Sequence, residues 1–107
     1  NTTVLEKIQS ELERSGCDAF LLSGGANMRY AAQVHLPFTD EHPGLAFVLF
    51  AKGRLPLVLS PSLWARSWER GIISDVRAYP GSLDATHAAA ELAAFLRPLG
   101  LASIGLE

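Results

Sequence analysis

The six residues Leu45–Phe50, LAFVLF, form an unbroken apolar run, and this run constrains the fold more than any other part of the sequence. A strand with one face in water alternates apolar and polar residues, whereas a strand covered on both faces is apolar throughout. Lys52-Gly53 follows as a tight turn, in which glycine tolerates a positive φ. Leu55–Leu59 then returns as the second strand of a hairpin. The run therefore predicts a sheet that is covered on both faces.

Helices alternate with strands along the rest of the chain. Leu5, Ile8 and Leu12 recur at helical spacing, and Gly16 is suited to end that helix in a left-handed conformation. Further patterns predict short strands over residues 18–23, 75–79 and 103–106, and helices over residues 26–32, 60–70 and 85–97. Alternating helices and strands with one hairpin predict an α/β fold, a three-layer α/β/α sandwich with a mixed sheet.

Length and composition narrow the class of protein. The chain has 107 residues, of which 49% are hydrophobic and 19% charged, and its net charge is −2. These values predict one globular domain, residues 1–107, and the interspersed charges favour neither nucleic acid nor an anionic membrane as a partner. No apolar run approaches the roughly 20 residues of a membrane span. Cys17 is the only cysteine, which favours a reducing, cytoplasmic location over a disulfide framework.

Residue chemistry alone indicates no catalytic site. Gly24-Gly25 lies between a strand and a helix, where backbone N–H groups can bind phosphate. The pair lacks the spacing of a dinucleotide or P-loop motif, so a plain turn is favoured over an anion site. The histidines are His35, His42 and His87, and neither a helical pair nor a Cys/His cluster pre-organises a metal site. We expect His87 to face solvent on the last helix.

Two tryptophans lie on the predicted helix 60–70. Ser60 suits its N-cap, and Pro61 suits its first turn, where the missing N–H of proline is tolerated. Trp64 and Trp68 are one helical turn apart, so their rings share a face. Packing on the sheet is the favoured interpretation. A dimer interface is the alternative, since tryptophan is enriched at interfaces.

The segment Gln33–Pro43 is longer than most connections in a compact domain. Phe38 and Pro37 offer apolar contacts, and Asp40 and His42 offer polar ones. Loops on rigid scaffolds often carry function. From the residues alone, a binding role and a surface loop with no role are about equally supported.

Taken together, these elements resemble the N-terminal domain of the creatinase/prolidase/aminopeptidase P family over essentially the whole chain. The opening LEKIQSELERSGCDAFLLS is similar to the family's first helix and to its Leu-x-x-Leu-x-x-x-Gly-x-Asp-Ala passage into the first strand. ANMRY is similar to the Asn-x-x-Tyr that starts the second helix. The hairpin LAFVLFAKGRLPLVLS, then SDVRAYP and LASIGLE, follow in the family's order. Each motif is weak alone, and their order and spacing carry the resemblance.

The resemblance implies a fold and a division of labour. The fold is that of the creatinase N-terminal domain, with a ribonuclease H-like motif. A separate C-terminal pita-bread domain, which this sequence does not contain, would hold two divalent metal ions, manganese or similar, and activate water to cut the bond before proline. The N-terminal domain would carry no catalytic residue and no metal. It would form a homodimer and lend its loop to the partner subunit's active site.

The resemblance also assigns roles on the loop. Asp40 and His42 would exclude water or recognise substrate ends at the partner subunit's active site, with His35 and Phe38 as weaker contributors. Asp40 and His42 match the Asp-x-His of many prolidase-like members, whose following Glu-Arg is here Pro43-Gly44. Creatine-cleaving members bind the carboxylate of their substrate with a loop arginine. This loop has none, which argues against creatine.

Asn27 and Tyr30 would position the helix and turn that lead into the loop. The family usually continues after that tyrosine with Leu-Ser/Thr-Gly-Phe, whereas residues 31–34 here are Ala-Ala-Gln-Val. The expected protein is a cytoplasmic hydrolase of the Xaa-Pro dipeptidase or aminopeptidase P type. This chain, which begins before a helix and stops as a strand ends, would be one module of it. Its partners would be its own C-terminal catalytic domain, a second copy of itself and a peptide substrate.

Two alternatives stay open. A creatinase-like amidinohydrolase, or a relative that binds without cutting, as a histone-chaperone subunit does, would keep the fold. Two Asp, one His and two Glu in family order further along the chain would mark the peptidase instead. A free-standing ligand or interaction module would share only the topology, and it predicts that the chain stops soon after Glu107.

Overall fold

The computed structural model describes residues 2–23, 25–34, 44–81 and 83–106. Its strands are β1 (Ala19–Leu22), β2 (Phe47–Ala51), β3 (Leu57–Pro61), β4 (Asp75–Tyr79) and β5 (Ile104–Leu106). Its α-helices are α1 (Thr2–Ser15), α2 (Gly25–Ala32) and α3 (Ala85–Leu96). Two 3₁₀ helices, η1 (Ser62–Arg70) and η2 (Arg97–Leu99), follow β3 and α3. Each predicted strand is present, with boundaries shifted by one or two residues at most.

The strands of the described chain form one mixed sheet in the order β4-β3-β2-β1-β5. β2 is antiparallel to both of its neighbours, whereas β1 is parallel to β5 and β3 is parallel to β4. β2 is thus the central strand, and each of its residues is buried. This position explains the unbroken apolar run, because the central strand is covered on both faces.

Alternation of side chains along β3 and β4 separates the two faces of the sheet. Ser60 lies on the face that holds α1, α2 and η1, and its hydroxyl accepts a hydrogen bond from Trp68 Nε1 at 3.0 Å. Pro61 and its strand partner Tyr79 lie on the opposite face, where the Tyr79 ring packs against His87 of α3. Helices therefore cover both faces, and the predicted three-layer α/β/α sandwich is confirmed.

The core is continuous through the sheet. Leu12 of α1 and Met28 of α2 are 0% and 1% exposed on one side, and Ala88 of α3 is 0% exposed on the other. Among the described residues, every buried side-chain nitrogen or oxygen has a hydrogen-bond partner. The described domain is therefore closely packed, and its buried polar side chains are hydrogen-bonded. Such a domain can hold a loop in place.

The start of η1 differs from the prediction. Ser60 and Pro61 are the last residues of β3, and not the N-cap and first turn of a helix. Pro61 precedes η1 in an extended conformation and gives it no side-chain cap. That prediction was wrong because both residues pair with β4, and the Ser60 hydroxyl bonds the ring of Trp68 inside the core rather than a helix end. η1 is also a 3₁₀ helix along its whole length, which the sequence pattern did not indicate.

The turn between α1 and β1 shows what the Gly-x-Asp-Ala motif does. Gly16 has a φ of 79°, in the left-handed region that glycine tolerates best. The carboxylate of Asp18 accepts hydrogen bonds from the N–H groups of Ala102 at 2.7 Å and Ser103 at 3.3 Å. The Asp18 N–H donates in turn to the Ser103 carbonyl oxygen at 3.0 Å. The motif thus ends the helix and fastens β1 to the segment that leads into β5.

Candidate functional site

The loop residues that the sequence singles out, His35, Phe38, Asp40 and His42, lie outside the described residues. Their roles therefore stay predictions. The structure does describe both ends of their loop, at residues 33–34 and at residue 44, and the elements that hold those ends. The candidate site is accordingly built from this framework.

The first end of the loop leaves α2 through a left-handed residue. Gln33 has a φ of 58°, and its N–H donates to the carbonyl oxygen of Arg29 at 2.9 Å. Its side-chain Nε2 donates to the carbonyl oxygen of Tyr30 at 2.5 Å, so Gln33 satisfies two carbonyl groups at the helix end. The carbonyl oxygen of Ala32 accepts from the N–H of Ile72 at 2.8 Å. These bonds fix the point at which the chain enters the loop.

Gly71 lets the segment after η1 approach this end closely. A Cβ atom at Gly71 would lie 2.3 Å from the carbonyl oxygen of Ala32 and 3.0 Å from Val34 Cγ1. The φ of Gly71 is −91°, so lack of space and not a positive φ requires glycine here. The backbone at residue 71 therefore seats the first end of the loop on the rest of the domain.

The second end returns to the sheet through Gly44, whose φ is 83°. Leu45 and Ala46 are 5% and 3% exposed, so the chain is buried as soon as it leaves the loop. The carbonyl oxygen of Leu45 accepts a hydrogen bond from the Tyr79 hydroxyl at 2.5 Å. Both ends of the loop are therefore held by residues distant in sequence, Ile72 at the first and Tyr79 at the second.

Ionisable side chains surround Tyr79 on the α3 face. The ring centroids of His87 and Tyr79 are 5.7 Å apart. His87 Nε2 lies 2.6 Å from the Pro80 carbonyl oxygen and 3.7 Å from Glu91 Oε1. Asp84 caps α3 by accepting from the His87 N–H at 2.8 Å. The prediction that His87 faces solvent holds only in part, because its ring is 31% exposed and also bridges α3 and the end of β4.

This environment keeps the Tyr79 hydroxyl protonated. Burial raises the pKa of the phenol above its ordinary value of 10.0, and the negative charges of Glu91 and Asp84 raise it further. The hydroxyl is therefore a neutral donor at physiological pH. The hydroxyl can therefore donate its hydrogen bond to the Leu45 carbonyl oxygen at any physiological pH.

Asn27 and Tyr30 lie on the outer side of α2, beside an open groove between α1, α2 and β1. The groove has a volume of about 810 Å³, and Phe20 and Leu22 form its apolar floor. Tyr30 is 50% exposed. Backbone carbonyl groups of α2 accept hydrogen bonds from Gln33 and Ile72, and the positioning roles of the Asn27 and Tyr30 side chains stay predictions.

Trp64 and Trp68 are 8% and 2% exposed and belong to the core beneath η1. Their burial within this chain agrees with the favoured interpretation, packing on the sheet. A part for either ring in a dimer interface stays a prediction.

Metal-binding clusters and membrane-spanning helices are not found among the described residues. Within residues 2–23, 25–34, 44–81 and 83–106, no group of three or more His, Cys, Asp and Glu side chains could hold a metal ion. Cys17 is a free, partly buried thiol. None of the described helices combines the length and hydrophobicity that a membrane span requires. What the framework supplies is hydrogen bonds to backbone groups at the two ends of the loop.

Tyr79 and Gly71 are functional candidates that the sequence did not reveal. Tyr79 stands in SDVRAYP, where the pattern indicated a strand followed by a turn. Gly71 follows η1 and has the sequence context of an ordinary helix stop. Both act on residues far away in the chain, so no local pattern distinguishes them. The only sign of either role in the sequence is the residue type at its position: an aromatic residue ends a strand, and a glycine follows a helix.

Known structures share this architecture. The crystal structure of the Creatinase/Prolidase N-terminal domain of an X-Pro dipeptidase from Streptococcus pyogenes matches with a TM-score of 0.77 at 19% identity, covering 100% of this chain and 77% of that one. An Xaa-Pro dipeptidase from Bacillus anthracis matches with a TM-score of 0.74 at 19% identity, covering 99% of this chain and 26% of that one. An Xaa-Pro aminopeptidase, aminopeptidase P, from Streptococcus thermophilus matches with a TM-score of 0.70 at 22% identity, covering 98% and 72%.

At these identities the likeness shows the fold, and the chain spans 26% of the Bacillus anthracis protein. Among curated protein sequences, no significant match was found. The family model described as the Creatinase/Prolidase N-terminal domain matches residues 5–107, nearly the whole sequence. The resemblance is confirmed, and the chain belongs to the Creatinase/Prolidase N-terminal domain family.

Proposed function

We propose that this chain is the non-catalytic N-terminal domain of a metallopeptidase of the Xaa-Pro dipeptidase or aminopeptidase P type. The observation that carries the proposal is the family match over residues 5–107. The fold likeness to domains from Xaa-Pro dipeptidases and an aminopeptidase P supports it. Because the chain spans 26% of the Bacillus anthracis dipeptidase, most of a protein of that kind lies outside it.

The chemistry would belong to a C-terminal domain. The described residues contain no group of three or more potential metal-binding side chains, so they do not fit a dinuclear metal site. Two divalent ions, manganese or similar, held in the C-terminal domain would supply an activated water for hydrolysis. The present domain would instead bind its own catalytic domain and a second copy of itself in the cytoplasm.

The loop between residues 33 and 44 would be this domain's contribution to the site. In a homodimer, Asp40 and His42 would reach the partner subunit's active site and contact peptide ends, with His35 and Phe38 as lesser contributors. The support is the framework: Ile72 and Tyr79 hold the two ends through hydrogen bonds of 2.8 Å and 2.5 Å. A loop whose ends are fixed loses less entropy on contacting substrate.

Hydrolysis by the full-length protein tests the proposal. We expect manganese-dependent cleavage of an Xaa-Pro dipeptide or an Xaa-Pro-Xaa tripeptide, and the preferred length separates dipeptidase from aminopeptidase P. The 107-residue chain alone is the control and should cleave neither. A folded, manganese-loaded full-length protein that cleaves neither peptide would contradict the proposal and favour an amidinohydrolase or a binding-only relative.

Substitution tests the loop. In the full-length dimer, Asp40→Ala or His42→Ala should lower kcat/KM about tenfold or more, equivalent to about 1.4 kcal/mol of transition-state stabilisation. Thermal stability should stay unchanged, since the sequence predicts that both residues lie on an exposed loop. Glu13→Ala, which removes an exposed acid from α1, is the matched control. Loop variants with the kinetics of the Glu13→Ala protein would remove the loop from the mechanism.

A further inference from the structure

Three residues lie in one row across the sheet where the loop returns. The register pairs Phe47 with Leu59, and continuing it by two residues places Leu45 opposite Pro61. Pro61 is paired with Tyr79 on the next strand. Leu45, Pro61 and Tyr79 are therefore neighbours in that order, from the segment just before β2 to the edge strand β4.

Pro61 leaves this row without a ladder donor. Proline has no backbone N–H, so it cannot donate to the carbonyl oxygen of the residue opposite. A buried carbonyl group without a donor is costly. Leu45 is 5% exposed, and the Tyr79 hydroxyl reaches over Pro61 to donate to its carbonyl oxygen at 2.5 Å. A side-chain hydroxyl thus takes the place of the missing backbone donor.

Tyr79 is itself held firmly. Its side chain is 3% exposed. Its carbonyl oxygen accepts from the Ser62 hydroxyl at 3.0 Å, and its ring packs on His87, tilted by 57°. His87 is fixed in turn by Pro80 and by Asp84 at the start of α3. The donor therefore has a defined position that is set by η1, β4 and α3 together.

We propose that Tyr79 is a positioning residue, whose hydroxyl sets the point at which the 33–44 loop returns to the sheet. The functional side of this inference rests on the proposed function, since the loop matters to catalysis only if it contributes to the partner subunit's active site. Tyr79 touches no substrate and acts through Leu45.

The test is Tyr79→Phe in the full-length protein, which removes the hydroxyl and keeps the ring. Amide hydrogen exchange in residues 44–47 should become about 5- to 30-fold faster, as expected when local opening loses one buried hydrogen bond. Leu12→Val, which loosens the core beneath α1, is the control. In this control, exchange in residues 44–47 should become faster by the same factor as exchange in the rest of the domain. Manganese-dependent hydrolysis of an Xaa-Pro dipeptide is measured on the same samples.

Local acceleration in Tyr79→Phe with a fall in kcat/KM that Leu12→Val does not share supports both the inference and the proposed function. Local acceleration with unchanged kcat/KM supports the positioning role and removes the loop from the reaction. If exchange in residues 44–47 rises no more than in Leu12→Val, the positioning role is overturned whatever the kinetics show.

Discussion

Trp68→Ala lowers the free energy of unfolding by about 4 kcal/mol, since truncating a buried tryptophan removes transfer energy and leaves a cavity. The Trp68 ring is 2% exposed and is one of the largest fully buried side chains in the described chain. Its Nε1–H also donates to the Ser60 hydroxyl, which is 0% exposed. The substitution therefore costs packing and a buried hydrogen bond together.

Urea denaturation of the purified chain measures this loss. Leu63→Ala is the matched control, because Leu63 lies on the same helix and is 76% exposed, so its loss should stay within about 0.5 kcal/mol. A double-mutant cycle of Trp68→Phe with Ser60→Ala isolates the hydrogen bond from the packing. A loss in Trp68→Ala as small as that in Leu63→Ala, accompanied by a change in oligomer mass, would contradict the core role and favour a dimer interface.

Gly71→Ala is expected to cost about 2 kcal/mol, as overpacking of a tight contact does. The added methyl group would meet the backbone carbonyl oxygen of Ala32 at 2.3 Å, and a backbone atom cannot rotate away as the end of a side chain can. The chain after η1 must then move away from α2. That movement stretches the hydrogen bond from the Ile72 N–H to Ala32, so the first end of the loop loosens.

Gly53→Ala separates this clash from the general effect of removing a glycine. Gly53 has open space around its Cα, but its φ is 73°, so the variant carries only the strain of a left-handed alanine, about 1 kcal/mol. Urea denaturation gives both losses, and hydrogen exchange at Ile72 should rise in Gly71→Ala alone. Equal losses with equal exchange would show that the approach of Gly71 to Ala32 is not needed.

The fold was predictable wherever a local pattern of apolar residues and turn residues determines an element. The apolar run at the start of the hairpin indicated a strand covered on both faces, and β2, the central strand, is buried along its whole length. The strand at residues 75–79 and the helix near residues 26–32 were predicted almost to the residue, because turn residues bound both. Local preference and tertiary packing agree in these elements.

The rest was not predictable because it depends on contacts between distant residues. Ser60 followed by proline has the sequence of a helix start, but Ser60 and Pro61 pair with β4 and end a strand, and the Ser60 hydroxyl bonds the Trp68 ring. No sequence pattern placed Asp84, His87 and Glu91 near Tyr79, yet they gather around it once α3 lies across the end of β4. The ends of the loop likewise depend on Ile72 and Tyr79, whose partners lie on other elements.

From the fastening of β1 by Asp18 we also expect an order of events during folding. β1 can pair with β2 early, but its other neighbour is β5, and the Asp18–Ser103 contact joins positions 85 residues apart. Closing so long a loop is entropically costly and slows the step that requires it. While the chain is being synthesised, β1 therefore presents an unpaired edge until the segment around Ser103 has left the ribosome. During that interval the edge of β1 is most prone to pair with another chain.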